Sequence, residues 1–310
     1  MAQHPVARFS PQFAGLICAG CATSLGAVYL HLAGAPVQLL TVNIGALILG
    51  LVSLRLLTKA ASIIRGRGEW AMLGGALMLL ATSLFGVSAE GATRWVAAGS
   101  LIIQPSLILL PLMVISFTRT RTSVATGAIL VAALSVAVQP DRAMAGLLVA
   151  GLAVQALLRR DRHLSIALGG SIAAFLVTAI RTDGLPAMPY VDRVYYEAFS
   201  ISLVAGLAVI AGTILLLVPA MAGAWLDRSK RDLCLVFGAV WLAAIVAASL
   251  GNYPTPVVGY SGAAVFGYVL SLFALSNARS AAAGANYIQN GEVERSQANN
   301  SANNFVPIRA

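Results

Sequence analysis

Nine charged residues occupy three short polar segments, and their side chains are the ones best suited to chemistry. A carboxylate can accept a proton, and a guanidinium group can hold an anion. The alternative is that these residues form surface ion pairs, which contribute little to stability. The nine residues are Glu90, Arg94, Asp141, Arg142, Arg181, Asp183, Asp192, Arg193 and Glu197.

The elements between these segments are long apolar runs. Hydrophobic residues make up 59% of the chain and charged residues 10%, against about 25% charged in globular proteins, and the mean hydropathy is +0.85. This composition excludes a soluble domain and predicts an all-α polytopic membrane protein with lipid as its solvent. The ten predicted spans are 13–33, 37–57, 70–88, 101–117, 123–138, 143–158, 164–180, 199–221, 233–250 and 257–275.

The distribution of basic residues orients these spans. With both termini in the cytoplasm, every one of the 20 basic residues lies inside except Arg94, Arg142, Arg181 and Arg193, as the positive-inside rule requires. The net charge of +9 is therefore a topology signal, which predicts the lipid bilayer and no nucleic acid as a partner. Span 143–158 is short, and a re-entrant segment there is the alternative.

Three regions follow from this topology. Residues 1–12 are predicted to be a cytoplasmic lead and residues 13–275 the membrane domain. Residues 276–310 are rich in Asn, Ala, Ser and Gln, and this composition predicts a disordered cytoplasmic tail.

Two Gln-Pro pairs stand at the predicted outer face. Gln104 and Gln139 each precede a proline, and an amide that enters an apolar setting is costly unless it is paired. Arg94 and Trp95 are equally typical of an interfacial anchor. A solvated turn is the alternative for Asp141.

The loop after span seven and the start of span ten complete the outer face. Residues 181–199 carry Arg181, Asp183, Asp192 and Arg193, and positions 191–199 have the spacing of an interfacial helix. The stretch GNYPTPVVGYSGAA at 251–264 contains Tyr260 and several glycines that allow close backbone approach. Packing of small residues is the alternative there.

No metal or cofactor is predicted. Cys18 and Cys21 form a C-x-x-C inside an apolar run, without a second ligand pair. The three histidines are scattered along the chain. Both patterns indicate packing and no metal site.

Four segments together resemble one family. Arg94-Trp95 with Gln104-Pro105-Ser106 resembles the "RRW…QPSE" segment of the SEDS (shape, elongation, division and sporulation) proteins, the RodA/FtsW-like glycosyltransferases. Gln139-Pro140-Asp141 resembles their "QPD". Leu185-Pro186 through Asp192 to Glu197 is similar to the end of their large outer loop, and PVVGYSGAA at 256–264 is similar to "PFVSYGGSS".

The resemblance implies a protein of the bacterial inner membrane that polymerises peptidoglycan from lipid II beside a class B penicillin-binding transpeptidase. It implies an outer-loop aspartate as catalytic base, with Asp183 and Asp141 as candidates. The same resemblance implies that outer arginines hold the leaving pyrophosphate. The substrate-binding candidates are Arg94, Trp95, Gln104, Gln139, Arg181, Asp192, Arg193 and Tyr260.

Two departures from the family pattern shape the functional hypotheses. Leu107 stands where the family has Glu, and the large outer loop is cut down. The favoured hypothesis is therefore a divergent relative that binds a lipid-linked sugar or a cell-wall partner with reduced or no catalysis. An active glycosyltransferase is the first alternative. A carrier is the second, although neither mid-span ionisable groups nor internal repeats favour it. A shared outer groove should be ringed by Arg94, Gln104, Asp141, Asp183 and Tyr260.

Overall fold

The computed structural model describes residues 10–61, 66–99, 101–181 and 184–276. Eleven α-helices and three short strands occur in these ranges, which confirms the helical fold class. The helices are α1 Pro11–Leu32, α2 Val37–Ala60, α3 Gly68–Phe85, α4 Pro105–Phe117, α5 Ser123–Val138, α6 Arg142–Leu158, α7 Arg162–Ile180, α8 Val194–Ile201, α9 Leu203–Leu226, α10 Arg231–Leu250 and α11 Gly262–Ser271. Two 3-10 turns, Arg228–Lys230 and Leu272–Leu275, flank α10 and α11.

Six helices among the described residues are long and apolar enough to cross a bilayer: Pro11–Leu32, Val37–Ala60, Gly68–Phe85, Arg162–Ile180, Leu203–Leu226 and Arg228–Leu250. Four shorter apolar helices, Pro105–Phe117, Ser123–Val138, Arg142–Leu158 and Gly262–Leu275, fill the remaining predicted spans. The helix α6 is continuous over 17 residues, about 25 Å at 1.5 Å per residue. The predicted tail, apart from Ser276, lies outside the described residues.

A small antiparallel sheet joins α3 to α4 and was not predicted. Its strands are β1 Val87–Ala89, β2 Ala92–Ala98 and β3 Leu101–Ile103, in the order β1-β2-β3. Spans three and four were predicted to reach residue 88 and to begin at residue 101. The helices instead end at Phe85 and begin at Pro105. Glu90 and Gly91 take positive φ angles in the turn between β1 and β2, which reverses the chain.

Side-chain caps set several helix starts. Thr122, Asp141, Asp161, Ser202 and Ser261 each accept a hydrogen bond from the backbone N–H three residues on. These bonds satisfy N–H groups that have no partner inside the helix. The polar residues at the ends of the apolar runs therefore set helix boundaries.

The buried core draws on helices throughout the bundle, and an aromatic cluster of α10 and α11 lies within it. Trp241 and Phe237 pack edge-on against Tyr268, with ring centroids 5.0 and 5.4 Å apart. The Tyr268 hydroxyl donates to the Leu216 carbonyl at 2.9 Å, and Trp241 Nε1 donates to Ser271 Oγ at 3.1 Å. Each polar tip is thus satisfied inside an apolar interior.

A glycine brings α11 against the start of α4. A Cβ added to Gly267 would lie 2.2 Å from the Leu107 carbonyl oxygen and 2.9 Å from Ile108 Cα. Neither is a flexible side-chain end, so the approach requires glycine. This contact packs α11 closely against the start of α4.

Candidate functional site

The strand β2 places Arg94 inside the helix bundle. Its side chain is only 3% exposed. Its Nε donates to the Gln139 carbonyl at 3.3 Å, and its Nη2 donates to the Pro140 carbonyl at 2.7 Å. These carbonyls follow α5, where a helix leaves acceptors unsatisfied and carries partial negative charge. Arg94 therefore fastens the sheet to the α5–α6 turn.

Asp141 stands at the centre of this turn and is fully buried. One carboxylate oxygen, Oδ1, accepts from the Met144 N–H at 3.1 Å and so caps α6. The other, Oδ2, accepts from Gln104 Nε2 at 2.9 Å. Gln104 Nε2 also donates to Ser106 Oγ at 3.1 Å. With both oxygens engaged, the carboxylate is suited to holding the first turns of α4 and α6 together.

Gln139 is also fully buried. Its Nε2 donates to the Leu79 carbonyl at 3.2 Å, which connects α5 to α3. Its Oε1 has no hydrogen-bond partner among the described residues. We call Arg94, Gln104, Gln139 and Asp141 the outer polar cluster. The structure thus brings four of the predicted site residues together.

The other predicted residues of this region have different surroundings. Trp95 is half-buried, and as the neighbour of Arg94 on β2 it points to the opposite face of the strand. Arg181 is exposed and donates to the Ala137 and Val138 carbonyls at 3.1 and 3.3 Å, at the end of α5. Asp183 lies outside the described residues.

A second group joins residues 185–193 to residues 252–261 through backbone bonds. The Tyr260 N–H donates to the Tyr190 carbonyl at 2.7 Å, and the Thr255 N–H donates to the Val191 carbonyl at 2.9 Å. Asp192 is 5% exposed, and its Oδ2 accepts from the Met188 N–H at 2.9 Å. Asp192 and Tyr260 therefore belong to a second arrangement, in which residues 185–193 pack against residues 252–261. Arg193 is exposed and has a φ of 58° at the start of α8.

Asn43 connects α2 to this second group and was missed by the sequence reasoning. Its Nδ2 donates to the Gly259 carbonyl at 2.9 Å, and its Oδ1 accepts from the Ser261 N–H at 3.2 Å. The side chain is 3% exposed. Asn43 could have been predicted from the sequence, since it is a single amide within an apolar run, which is the pattern that identified Gln104.

The Tyr195 hydroxyl lies in a buried environment beside Thr213. Burial raises the pKa of its hydroxyl to about 12, and the hydrogen bond from Thr213 Oγ1 at 3.2 Å acts in the opposite direction. The phenol is therefore neutral at physiological pH and does not serve as a ready base.

A groove of about 590 Å³ opens beside the cluster, between α6, α7 and α10. It was not predicted. Most of its lining is apolar, and Arg142 is the charged residue among the described residues that line it. Arg142 follows Asp141 directly, so the cap that holds α6 also places the guanidinium. The full lining is Arg142, Ala143, Gly146, Phe175, Leu185, Ala243, Val246, Ala247, Leu250, Gly251, Asn252 and Tyr253.

Metal ligands do not cluster in the parts of the chain that the structure describes. No group of three or more His, Cys, Asp or Glu side chains lies together there.

Comparison with known proteins shows the fold. No family model matches the chain, and no curated protein matches it by sequence. Among solved structures, Thermus thermophilus rod shape determining protein RodA matches with a TM-score of 0.61 and 20% identity, over 87% of this chain and 96% of that chain. A variant of the same protein with one aspartate replaced by alanine matches with a TM-score of 0.61 and 19% identity, over 87% and 96%.

A chain from a peptidoglycan synthase complex that coordinates polymerization and crosslinking also matches. Its TM-score is 0.58 and its identity 18%, over 89% of this chain and 98% of that chain. The resemblance to SEDS proteins is therefore confirmed at the level of the fold. The chain has the polytopic membrane fold of RodA.

Proposed function

We propose that this chain is a divergent SEDS-like protein of the bacterial inner membrane that takes part in peptidoglycan synthesis. It binds a lipid-linked sugar or a cell-wall partner at its outer end, with reduced or no catalysis. The observation that carries the proposal is the burial of Asp141, whose carboxylate caps α6 and accepts from Gln104. The chain therefore combines a RodA fold with a candidate base, Asp141, whose two carboxylate oxygens serve structural hydrogen bonds.

The surroundings of the other outer charges support reduced catalysis. A base must lie within hydrogen-bond reach of the hydroxyl that it deprotonates. Asp192 is buried against the Met188 N–H, and Arg94 is directed at the backbone carbonyls of residues 139 and 140. Asp183 remains the candidate base in the sequence.

The alternative is an active glycosyltransferase that polymerises lipid II. The observation that favours it is the exposed Arg181, which stands two residues from Asp183 in the sequence. A cation beside a carboxylate suits the transfer of a sugar from a pyrophosphate leaving group. In this alternative Asp183 is the base, and Arg181 stabilises the leaving group.

A transpeptidase of the class B penicillin-binding type is the proposed protein partner. The support is the likeness to a chain of a complex that couples polymerization to crosslinking. This likeness covers 98% of that chain. Nearly the whole fold of the membrane chain in that complex therefore has a counterpart in this protein.

Incubation of the purified full chain with lipid II tests the proposal. We expect lipid II to co-purify with the chain while little or no glycan polymer forms, with or without a co-expressed transpeptidase. Asp183→Asn and Asp141→Asn serve as paired variants. Efficient polymerisation that Asp183→Asn abolishes would overturn the proposal in favour of the glycosyltransferase.

A further inference from the structure

The groove beside Arg142 has the composition of a lipid-binding site. Its floor is formed by small residues of two helices, Ala143 and Gly146 of α6 and Ala243 and Ala247 of α10. Residues three or four apart lie on one helix face, so the floor is a continuous strip. Its volume of about 590 Å³ falls within the range of about 300–1,000 Å³ that is usual for small-ligand pockets.

Larger apolar side chains form the walls of the groove. They include Phe175 of α7 and Val246 and Leu250 of α10. Val246 is 44% exposed and Leu250 is 83% exposed. An apolar channel on the outside of a membrane bundle is suited to a single hydrocarbon chain, since no buried polar group has to be desolvated.

The polar end of the groove carries the charge. Arg142 donates through Nε and Nη2 to the Thr178 carbonyl and through Nη2 to the Ala179 and Arg181 carbonyls, at 3.2 to 3.4 Å. These bonds fix the guanidinium at the end of α7. Its Nη1 donates to no residue that the structure describes and remains available to an anion.

We propose that this groove binds one acyl chain of an anionic glycerophospholipid, with the phosphodiester at Arg142 Nη1. Arg142 is the single charged group in the described lining, and most of its donors are used by backbone carbonyls. It therefore complements one phosphate charge more closely than the diphosphate of a polyprenyl-linked sugar. The side-chain amide of Asn252 lies at the same end, although its Nδ2 donates to the Leu185 carbonyl at 3.0 Å. The lipid site does not depend on the proposed function.

Glycine positions provide a matched pair of variants. A Cβ at Gly146 would meet only Phe175 Cε2 at 3.5 Å and Cδ2 at 3.9 Å, which is ordinary contact. Gly146 lines the groove, so Gly146→Leu adds a bulky apolar side chain to the lining. Gly169 on α7 has nothing within 4 Å of an added Cβ, so Gly169→Leu adds the same side chain at an open position.

Native mass spectrometry of the full chain in detergent tests the proposal, with phosphatidylglycerol and phosphatidylcholine of equal chain length at equal concentration. We expect preferential retention of phosphatidylglycerol. Arg142→Gln should lower that preference about tenfold, as the loss of one charge-assisted hydrogen bond predicts. Gly146→Leu should reduce retention of both lipids, and Gly169→Leu should reduce neither.

Three results would overturn the proposal. The first is equal retention of the two lipids by the unaltered chain. The second is unchanged retention of both lipids by Gly146→Leu. This variant keeps Arg142, so it tests the groove even if Arg142→Gln fails to fold. The third is displacement of phosphatidylglycerol by lipid II added at equal concentration, which would assign the groove to the lipid-linked sugar.

Discussion

Two sets of charged residues, one at each end of the bundle, differ in burial. At the predicted outer end, Arg94 and Asp141 are 3% and 0% exposed, respectively. At the predicted inner end, Arg121 pairs with Asp161, and Arg159 pairs with Asp232 at 3.2 Å. The Arg159 side chain is 78% exposed and the Asp161 side chain 34% exposed.

This difference indicates different roles. A buried charge is costly unless hydrogen bonds compensate it, whereas a solvated pair contributes little. The partly solvated pairs Arg121–Asp161 and Arg159–Asp232 are therefore expected to contribute less than the buried outer residues. Lys230 is the exception at the inner end among the described residues: it is 5% exposed and donates to the Leu275 carbonyl at 2.9 Å. The buried Arg94 and Asp141 hold a fixed arrangement, and the Asp141 cap of α6 places the neighbouring, groove-lining Arg142.

The largest difference in stability loss is expected between alanine variants of two aspartates that cap helices in the same way. Asp141 caps α6 through the Met144 N–H and Asp161 caps α7 through the Leu164 N–H. Asp141→Ala also removes one of the two acceptors of the buried Gln104 amide, so we expect a loss of about 2–4 kcal/mol in the free energy of unfolding. Asp161→Ala should lose about 1 kcal/mol. Thermal unfolding in detergent measures both, and equal losses would remove the distinction between the two ends.

A smaller difference in stability loss is expected between alanine variants of two asparagines that contact the second group. Asn43→Ala removes two buried hydrogen bonds, to the Gly259 carbonyl and from the Ser261 N–H, at a cost of about 1–3 kcal/mol. Asn252 is exposed and makes one bond, to the Leu185 carbonyl. Asn252→Ala should change stability by less than about 0.5 kcal/mol. The free energy of unfolding in denaturant reports both values, and a larger loss at Asn252 would contradict the burial argument.

The smallest expected effect is the pH dependence of stability that Asp161 contributes at the inner end. Partial burial acts to raise the pKa of Asp161, but hydrogen bonds from the Leu164 N–H and from Arg121 outweigh it and lower the pKa below its usual value. A carboxyl group with a lowered folded-state pKa stabilises the protein above about pH 3.9 and loses that contribution as the pH falls through the folded-state value.

The difference in melting temperature between the unaltered chain and Asp161→Asn should therefore be small at pH 7 and should shrink on acidification below about pH 4. A difference that stays constant down to pH 2 would show that the Asp161 charge contributes nothing. The same series on Asp141→Asn provides the outer comparison.

Much of the fold follows from the sequence because membrane helices satisfy their own backbone. The predicted span 123–138 coincides with α5, and 143–158 differs from α6 by one residue. The sheet at 87–103 was missed because two of its strands, Val87–Ala89 and Leu101–Ile103, are only three residues long and adjoin apolar runs. Hydropathy alone does not separate a short apolar strand from a helix end.

The site was predictable in part. Gln104, Gln139 and Asp141 were identified because an amide or carboxylate at the end of an apolar run must find a partner. Their meeting with Arg94 depends on how α3, α4, α5 and α6 pack, which no local pattern encodes. The groove was missed for a related reason, since its floor of alanine and glycine looks like ordinary helix packing.

Cysteine labelling in intact cells tests most directly the central claim that the outer polar end faces away from the cytoplasm. Met188→Cys at the outer end and Ser229→Cys at the inner end leave the net charge unchanged, and both positions are exposed. Each is introduced into a chain whose Cys18, Cys21 and Cys234 are replaced by alanine. A membrane-impermeant thiol reagent is predicted to label Met188→Cys at once and Ser229→Cys only after permeabilisation. Labelling in the reverse order would place the outer polar cluster and its groove on the cytoplasmic side and contradict the proposed function.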